Sequence, residues 1–422
     1  MNTEGTLARR LTATDATVIG LGSMIGAGVF AAVAPAAQAA GGWLLAGLVI
    51  AAGVAWCNAA ASAQLAAVYP VAGGTYTYAR ERLGPWWGFS AGWSFLVGKT
   101  ASCAAMALVF AAYVAPQGWE KPVAVLAIVA LSAINLVGVT RTALAAKLMV
   151  TFVIVVLVGV LIVVGTAQPA TDDLGLLFAE TSPYGILQSA GILFFAFAGY
   201  ARIATLGEEV KDPARSIPRA IMTALLLTAV LYSLLAAAML AVLGTDVLAA
   251  STAPIADLLV AVGWGRASGV VSFAAAIASL GALLALMAGI GRTTLAMARV
   301  SDLPSWFGAI SPRFSVPYRA ELVLSAVLIG VVLVADLRGA IAFSSFGVLL
   351  YYFIANLSAF TQPAEQRRIP RMVNIVGALA CLALIVTVPF VGVAVGLLVV
   401  ALGIPVRLLS NRQSPAVPNL GA

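Results

Sequence analysis

Histidine does not occur once in the 422 residues. Its absence removes His-based metal sites, His-containing catalytic triads and histidine proton relays together. Charge is nearly as scarce: Asp, Glu, Lys and Arg make up 9% of the chain, against about 25% in soluble domains. The cysteines, Cys57, Cys103 and Cys381, lie inside apolar stretches without metal-ligand spacing, so they read as structural thiols and not as a disulfide frame. Apolar residues are what the chain has, 62% of it, with a mean hydropathy of +1.05. That excludes a water-soluble fold. It also excludes disorder, which needs low hydrophobicity and high net charge. The net charge of +7 is scattered between apolar runs in no long block, so the expected partner is the lipid bilayer and not nucleic acid.

Runs of about 20 apolar residues, the length that spans a bilayer as a helix, recur along the whole chain. They fall at 16–40, 42–68, 86–115, 122–139, 142–166, 187–206, 220–243, 267–298, 318–335, 339–360, 372–390 and 392–409. The expected fold is therefore all-α, with twelve transmembrane helices. The last two runs are nearly continuous. As one helix they would reach about 57 Å at about 1.5 Å per residue, too long for a hydrocarbon core of about 30 Å, so Pro389 and Gly392 mark a hairpin. The segment before Ala16 is polar and carries Arg9 and Arg10, unlike a cleaved signal peptide. With that end inside, Lys121, Arg266 and Arg338 alone fall in outer loops, while the other Lys and Arg, Lys99 apart, fall in inner ones. The connection at 168–184 has Asp172, Asp173 and Glu180 and no base. Both termini are thus expected to be cytoplasmic in a multi-pass protein of the cell membrane.

Two runs look interrupted. The first contains Gly20, Gly22, Gly26 and Gly28, and the sixth contains Gly199 between Phe194, Phe195, Phe197 and Tyr200. Each interior glycine costs a helix about 1 kcal/mol relative to alanine, and unwound backbone is tolerated at membrane depth where it lines a cavity. The alternative use of such glycines is close helix packing. The two interrupted runs are the first members of two sets of five, and they cross the membrane in opposite directions. That is the arrangement of inverted-repeat secondary transporters, whose site lies between two discontinuous helices. The expected organisation is a cytoplasmic tail (1–15), a first repeat (16–166), a second repeat (187–360), helices eleven and twelve (372–409) outside the repeat, and a C-terminal tail (410–422). The loops Tyr69–Pro85 and Asp246–Arg266 correspond on opposite faces, the second with an amphipathic stretch at Ala253–Val262.

Three stretches then become recognisable: Gly22 to Phe30 (GSMIGAGVF); Pro70 to Gly74 (PVAGG) with Tyr76, Tyr78, Leu83, Gly84, Pro85, Gly88, Phe89, Gly92 and Trp93; and Gly207 to Pro213 (GEEVKDP) with Ile217, Pro218 and Arg219. A fourth is Ala296 to Arg299 (AMAR) before Asp302, Leu303 and Pro304. Taken in order, they resemble the amino acid–polyamine–organocation superfamily, and within it the bacterial amino acid permeases.

The site chemistry follows in part without that resemblance. Unwinding the first span exposes amides at the start of its second half, a partial positive charge suited to a carboxylate. The carbonyl ends of the first half and of the broken sixth span suit an ammonium group. A zwitterion fits between them. The resemblance implies which residues take part: the amides of Gly26, Ala27 and Gly28, next to Ile25, around the carboxylate; carbonyls near Met24, Phe195 and Ala198, beside Gly199, for the amine; and Phe195 as an aromatic lid. Lys99 is the one basic residue well inside a span, where an ionisable group is expensive and a functional role is the default reading. It could carry a proton, or stand as a fixed cation in place of sodium; the alternative is a snorkelling lysine of structural use only. Lys147, near the end of span five, reads as snorkelling, and Val153 stands where some relatives carry a coupling lysine. Ala201 replaces an acid found in related antiporters. Ser272 and Ser279 alone represent the hydroxyls of a sodium site in span eight, which argues against sodium. Glu208 and Glu209, followed by Lys211, Asp212, Arg215 and Arg219, read as a cytoplasmic ion-pair cluster steadying an inner gate, not as catalytic carboxylates. No cofactor or metal is expected.

The resulting expectation is a secondary active transporter that takes up neutral amino acids with protons by alternating access. Exchange of amines or cationic amino acids is the alternative, disfavoured by the lack of acids in the spans. An enzyme would need a nucleophile with a base or a metal set, and a channel a filter or rings of like charge; none is evident in the sequence.

Overall fold

The computed structural model describes residues 11–69, 73–138, 143–166, 181–204, 206 and 209–413. Among them the fold is all-helical; the only extended pairing is an isolated parallel bridge between Leu11 and Val210. Helix α1 (Ala13–Ile25) starts at a capping box in which the Thr12 side chain accepts from the Asp15 N–H and the Asp15 carboxylate accepts from the Thr12 N–H. That satisfies two otherwise orphaned donors. Short helices α2 (Gly28–Ala31) and α3 (Val33–Ala40) continue it, and α4 (Leu44–Val68) returns. Helix α5 (Thr75–Leu83) closes on Gly84, whose φ of 100° suits glycine, and Pro85 opens α6 (Pro85–Val114), the glycine-stop, proline-start pattern expected at such a junction.

The chain goes on through α7 (Glu120–Leu136), α8 (Ala143–Thr166), α9 (Pro183–Phe197), α10 (Ala201–Ala204), α11 (Pro213–Ala250) and α12 (Pro254–Ala261). It ends with α13 (Ser268–Arg299), α14 (Tyr318–Val334), α15 (Leu337–Phe360), α16 (Arg371–Thr387) and α17 (Phe390–Gln413). The two corresponding loops each contain a helix, α5 and α12, the second within the amphipathic stretch. The run from Met372 to Leu409 is broken at Val388 and Pro389, as Pro389 requires of a segment too long for one crossing.

Among the described residues, nine helical stretches are long and apolar enough to cross a membrane. Helices α7, α14 and α16 have 17 residues each, about 26 Å of helix. Burial sorts the long helices. In α6 and α15, 78% of the apolar window is buried, against 17% in α8 and 22% in α17. Helices α6 and α15 therefore form the centre, and α8 and α17 turn side chains such as Leu144, Leu148, Ile162, Leu397 and Leu398 outward. Helix α1 packs on α11, α8 and the turn after α9, while α6 lies between α13 and α15. The second interruption thereby lies against the central pair, where Lys99 of α6 reaches Ala198, and the first lies against α13 and α9.

Candidate substrate site

Helix α1 stays regular through Ile25. Gly26 (φ −31°, ψ −85°) and Ala27 (φ −106°, ψ −17°) then interrupt it before α2 begins at Gly28. The glycines serve packing as well as the break. A Cβ on Gly26 would lie 2.5 Å from the Ala282 Cβ, and one on Gly28 would lie 2.6 Å from the Ala196 Cα. The sixth span is interrupted differently: α9 tightens into a 3₁₀ turn at Ala198–Tyr200 and resumes as α10, with no extended stretch at that point. A Cβ on Gly199 would lie 2.3 Å from the Ser23 carbonyl oxygen and 2.5 Å from the Met24 nitrogen. The two interrupted spans therefore meet backbone to backbone.

Their carbonyl ends are already engaged. The Tyr232 hydroxyl of α11 donates to the Met24 carbonyl at 2.7 Å and lies 3.3 Å from that of Ala196. The Phe195 carbonyl accepts from the Ala198 N–H. The Ala198 carbonyl accepts from the Lys99 ammonium at 3.0 Å and from the Tyr352 hydroxyl at 3.4 Å. Lys99 is 5% exposed, and among the described residues no carboxylate forms an ion pair with it. Its charge rests on the negative end of a half-helix. Beside it the Ser102 and Ser344 hydroxyls are 2.6 Å apart.

Met24, Ala27, Gly28, Lys99, Phe195 and Gly199 line one cavity of about 720 Å³. Ala198 is not on its lining; its neighbour Gly199 is, and the Ala198 carbonyl holds Lys99. Ile25 and Gly26 face an adjoining cavity of about 280 Å³, with Gly22, Val150, Val153 and Ala278. Ser23, Tyr76 and Ser102 give the larger cavity hydroxyls, and Arg202, Glu209 and Arg292 give it charge, with Arg292 exposed. At the other end of the helices the Tyr113 hydroxyl donates to the Phe30 carbonyl, and Arg338 bonds to Gln38 and the Ala249 carbonyl.

Glu208, one of the expected gate residues, lies outside the described residues. Lys211 and Arg215 are exposed, and among the described residues neither forms an ion pair. The chain start is tied to this segment through backbone: the Leu11 N–H donates to the Glu209 carbonyl, and the Lys211 N–H to the Leu11 carbonyl. Lys147 pairs with Asp15 at 2.7 Å.

Three features were not singled out from the sequence. Tyr232 and Tyr352 cap the two half-helix ends, and the signal was available: a tyrosine in an apolar span must find a partner for its hydroxyl. The third is an ion cluster on Asp302, 1% exposed, in the turn after α13 where Ser301 has φ 62°. Arg80 and the Tyr76 hydroxyl each reach Asp302 at 2.8 Å, and the Arg407 Nε lies 3.1 Å away. The Arg407 guanidinium stacks 4.2 Å over the Trp86 ring. Burial first, and then the Asp302 charge, push the Tyr76 phenol well above its usual range. Sequence reading treated Arg407 only as a topology charge.

Among the described residues, nine membrane-length helices with a cavity at interrupted helices are the architecture expected of a membrane transporter, and comparison with known proteins shows the class. The chain matches the amino acid permease family over residues 15–409 and belongs to it. It is 53% identical over 414 residues to an uncharacterized transporter of Mycobacterium tuberculosis, covering 97% of this chain and 93% of that one. It is 24% identical over 444 residues to a branched-chain amino acid permease of Bacillus subtilis, covering 97% and 94%. It is 27% identical over 375 residues to the chloroplastic cationic amino acid transporter 7 of Arabidopsis thaliana, covering 82% and 64%. The protein is therefore a multi-pass membrane transporter of the amino acid permease family and not an enzyme.

Proposed function

We propose that the protein carries neutral amino acids across the cytoplasmic membrane by alternating access, linked to protons through Lys99. In this reading the nine long spans and α7, α14 and α16 make twelve crossings, arranged as two inverted sets of five plus a final pair, with both termini in the cytoplasm. The substrate carboxylate lies at the amides of Gly26, Ala27 and Gly28, its amine near the carbonyls of Met24, Phe195 and Ala198, and Phe195 covers it. Glu209, Lys211 and Arg215 border the cytoplasmic mouth, and the gate role expected of Glu208 falls outside the described residues. The observation that carries this reading is the meeting of two interrupted spans on the wall of a 720 Å³ cavity into which a buried lysine projects. A neutral side chain fits best, because Lys99 lines the cavity, whose one carboxylate among the described residues, Glu209, lies beside Arg202 and Arg292.

Transport into proteoliposomes of a panel of labelled amino acids tests this, with the proton gradient inward, outward or absent, for the wild type and Lys99→Ala. The expected result is movement of at least one neutral amino acid that responds to the gradient in the wild type and not in Lys99→Ala. Movement of arginine and lysine alone, or of no amino acid, would refute it.

A further inference from the structure

We infer that the Lys99 ammonium and the substrate's own ammonium compete at the Ala198 carbonyl, the acceptor there that already has two donors, so that the protein exchanges amino acid for proton. The inference rests on the proposed site and gives its coupling a sign. At the carbonyl end of α9 the acceptors are already distributed. Tyr232 holds Met24 and Ala196, the Ala198 N–H holds Phe195, and Tyr352 and Lys99 share Ala198. A carbonyl oxygen has two lone pairs, so a substrate ammonium reaches Ala198 when one of its two donors leaves. The tyrosine is packed between Phe194, Tyr200 and Tyr351, with ring centroids 5.8, 5.0 and 5.2 Å away. The lysine has a flexible stem and can give up its proton.

Titratable and charged groups face Lys99 from several elements. On its own helix it faces Cys103. From α5 comes Tyr76, from α10 Arg202, from the following segment Glu209, and from α13 Arg292. From α14 comes Glu321, packed against Gly291; from α15 come Tyr351 and Tyr352, and from the 3₁₀ turn Tyr200. Asp302 is held by Arg80 and by Arg407 of α17. No carboxylate among these forms an ion pair with Lys99, while a second ammonium at Ala198 would stand beside the first and disfavour its charge. The step balances as follows: a zwitterion binds, the Lys99 ammonium loses one proton to cavity water, and the neutral amine leaves the carbonyl. Linkage makes the effect reciprocal, so that protonation of Lys99 expels the substrate. Proton and amino acid then cross in opposite directions, the reverse of uptake by symport.

The test is binding of each of the twenty labelled amino acids to purified protein between pH 5.5 and 9, with calorimetry in two buffers of different ionisation heat. For an amino acid that binds, wild-type affinity rises about tenfold per pH unit until Lys99 is neutral, with about one proton released per molecule bound. Lys99→Met binds more tightly than wild type at pH 5.5, with no such slope, and Lys99→Arg binds weakly throughout. Proton uptake on binding, or wild-type affinity independent of pH, overturns the competition while leaving the amino acid site standing. These wild-type readings do not depend on any variant folding. Binding of none of the twenty by wild type or Lys99→Met overturns the site as well.

Discussion

Asp302→Asn is the most informative single change outside the cavity. The carboxylate is 1% exposed and faces two guanidinium groups of different standing, since the Arg80 side chain is 31% exposed and that of Arg407 is 5% exposed. Arg80 can turn to solvent, so its pair is worth about 0–1 kcal/mol. Arg407 is enclosed and cannot. Removing the partner of a buried charge costs about 3–5 kcal/mol, and the Tyr76 hydroxyl keeps an acceptor in the asparagine carbonyl. A loss of about 3–4 kcal/mol follows, nearly all of it from Arg407. Asp302→Asn with Arg407→Met removes both charges and should recover all but about 0.5–2 kcal/mol, the value of the lost cation–π contact with Trp86. Denaturant unfolding in lipid–detergent micelles measures this, followed by tryptophan emission, because Trp86 reports on Arg407 directly. A loss below about 1 kcal/mol for Asp302→Asn, or a double variant no more stable than the single one, refutes the account of a buried ion cluster.

Three other changes follow from contacts already described. Gly199→Ala pushes a methyl group into the Ser23 and Met24 backbone, 2.3–2.5 Å away; it should cost at least about 1–3 kcal/mol, and unfolding like the wild type would show the crossing to be looser than described. Tyr232→Phe removes the donor to the Met24 carbonyl and should cost about 1 kcal/mol, read as a lower unfolding midpoint at constant slope; an unchanged midpoint would mean the hydroxyl contributes nothing there. Asp15→Asn breaks a pair whose side chains are 42% and 17% exposed, so it should cost less than about 1 kcal/mol and lose even that at high salt. A larger, salt-independent loss would contradict this.

Hydropathy made nine of the twelve expected spans legible as membrane-length helices among the described residues, because each helix must satisfy its own backbone bonds and present apolar side chains over a fixed length. The same logic located the break at Pro389, although Gly392 fell inside α17. Gly26 and Gly28 announced the first interruption, since four glycines in one run exceed what a packing face needs. The form of the second was not legible: a 3₁₀ turn at Ala198–Tyr200 differs from helix by small changes in backbone angle that no residue there dictates. Nor were the partners of the carbonyl ends. Lys99 and Ala198 are 99 positions apart, and Tyr232 is 208 from Met24. The Asp302 cluster draws on residues from Tyr76 to Arg407, and local patterning carries no information across such gaps.

The glycine pair beside Lys99 sets where movement can occur. A Cβ on Gly98 would lie 2.9 Å from the Val348 nitrogen, and one on Gly347 would lie 2.6 Å from the Gly98 Cα. With no side chain between them, α6 and α15 have no room to slide and behave as one beam. Lys99 is mounted on that beam one residue from its tightest joint, while Ala198 is carried by a separate, interrupted segment. Rocking of that segment changes the geometry of the 3.0 Å bond between them, within the reach of the lysine stem. In the proposed cycle the lysine is therefore the point on the beam against which the position of the broken helix is read, through one hydrogen bond.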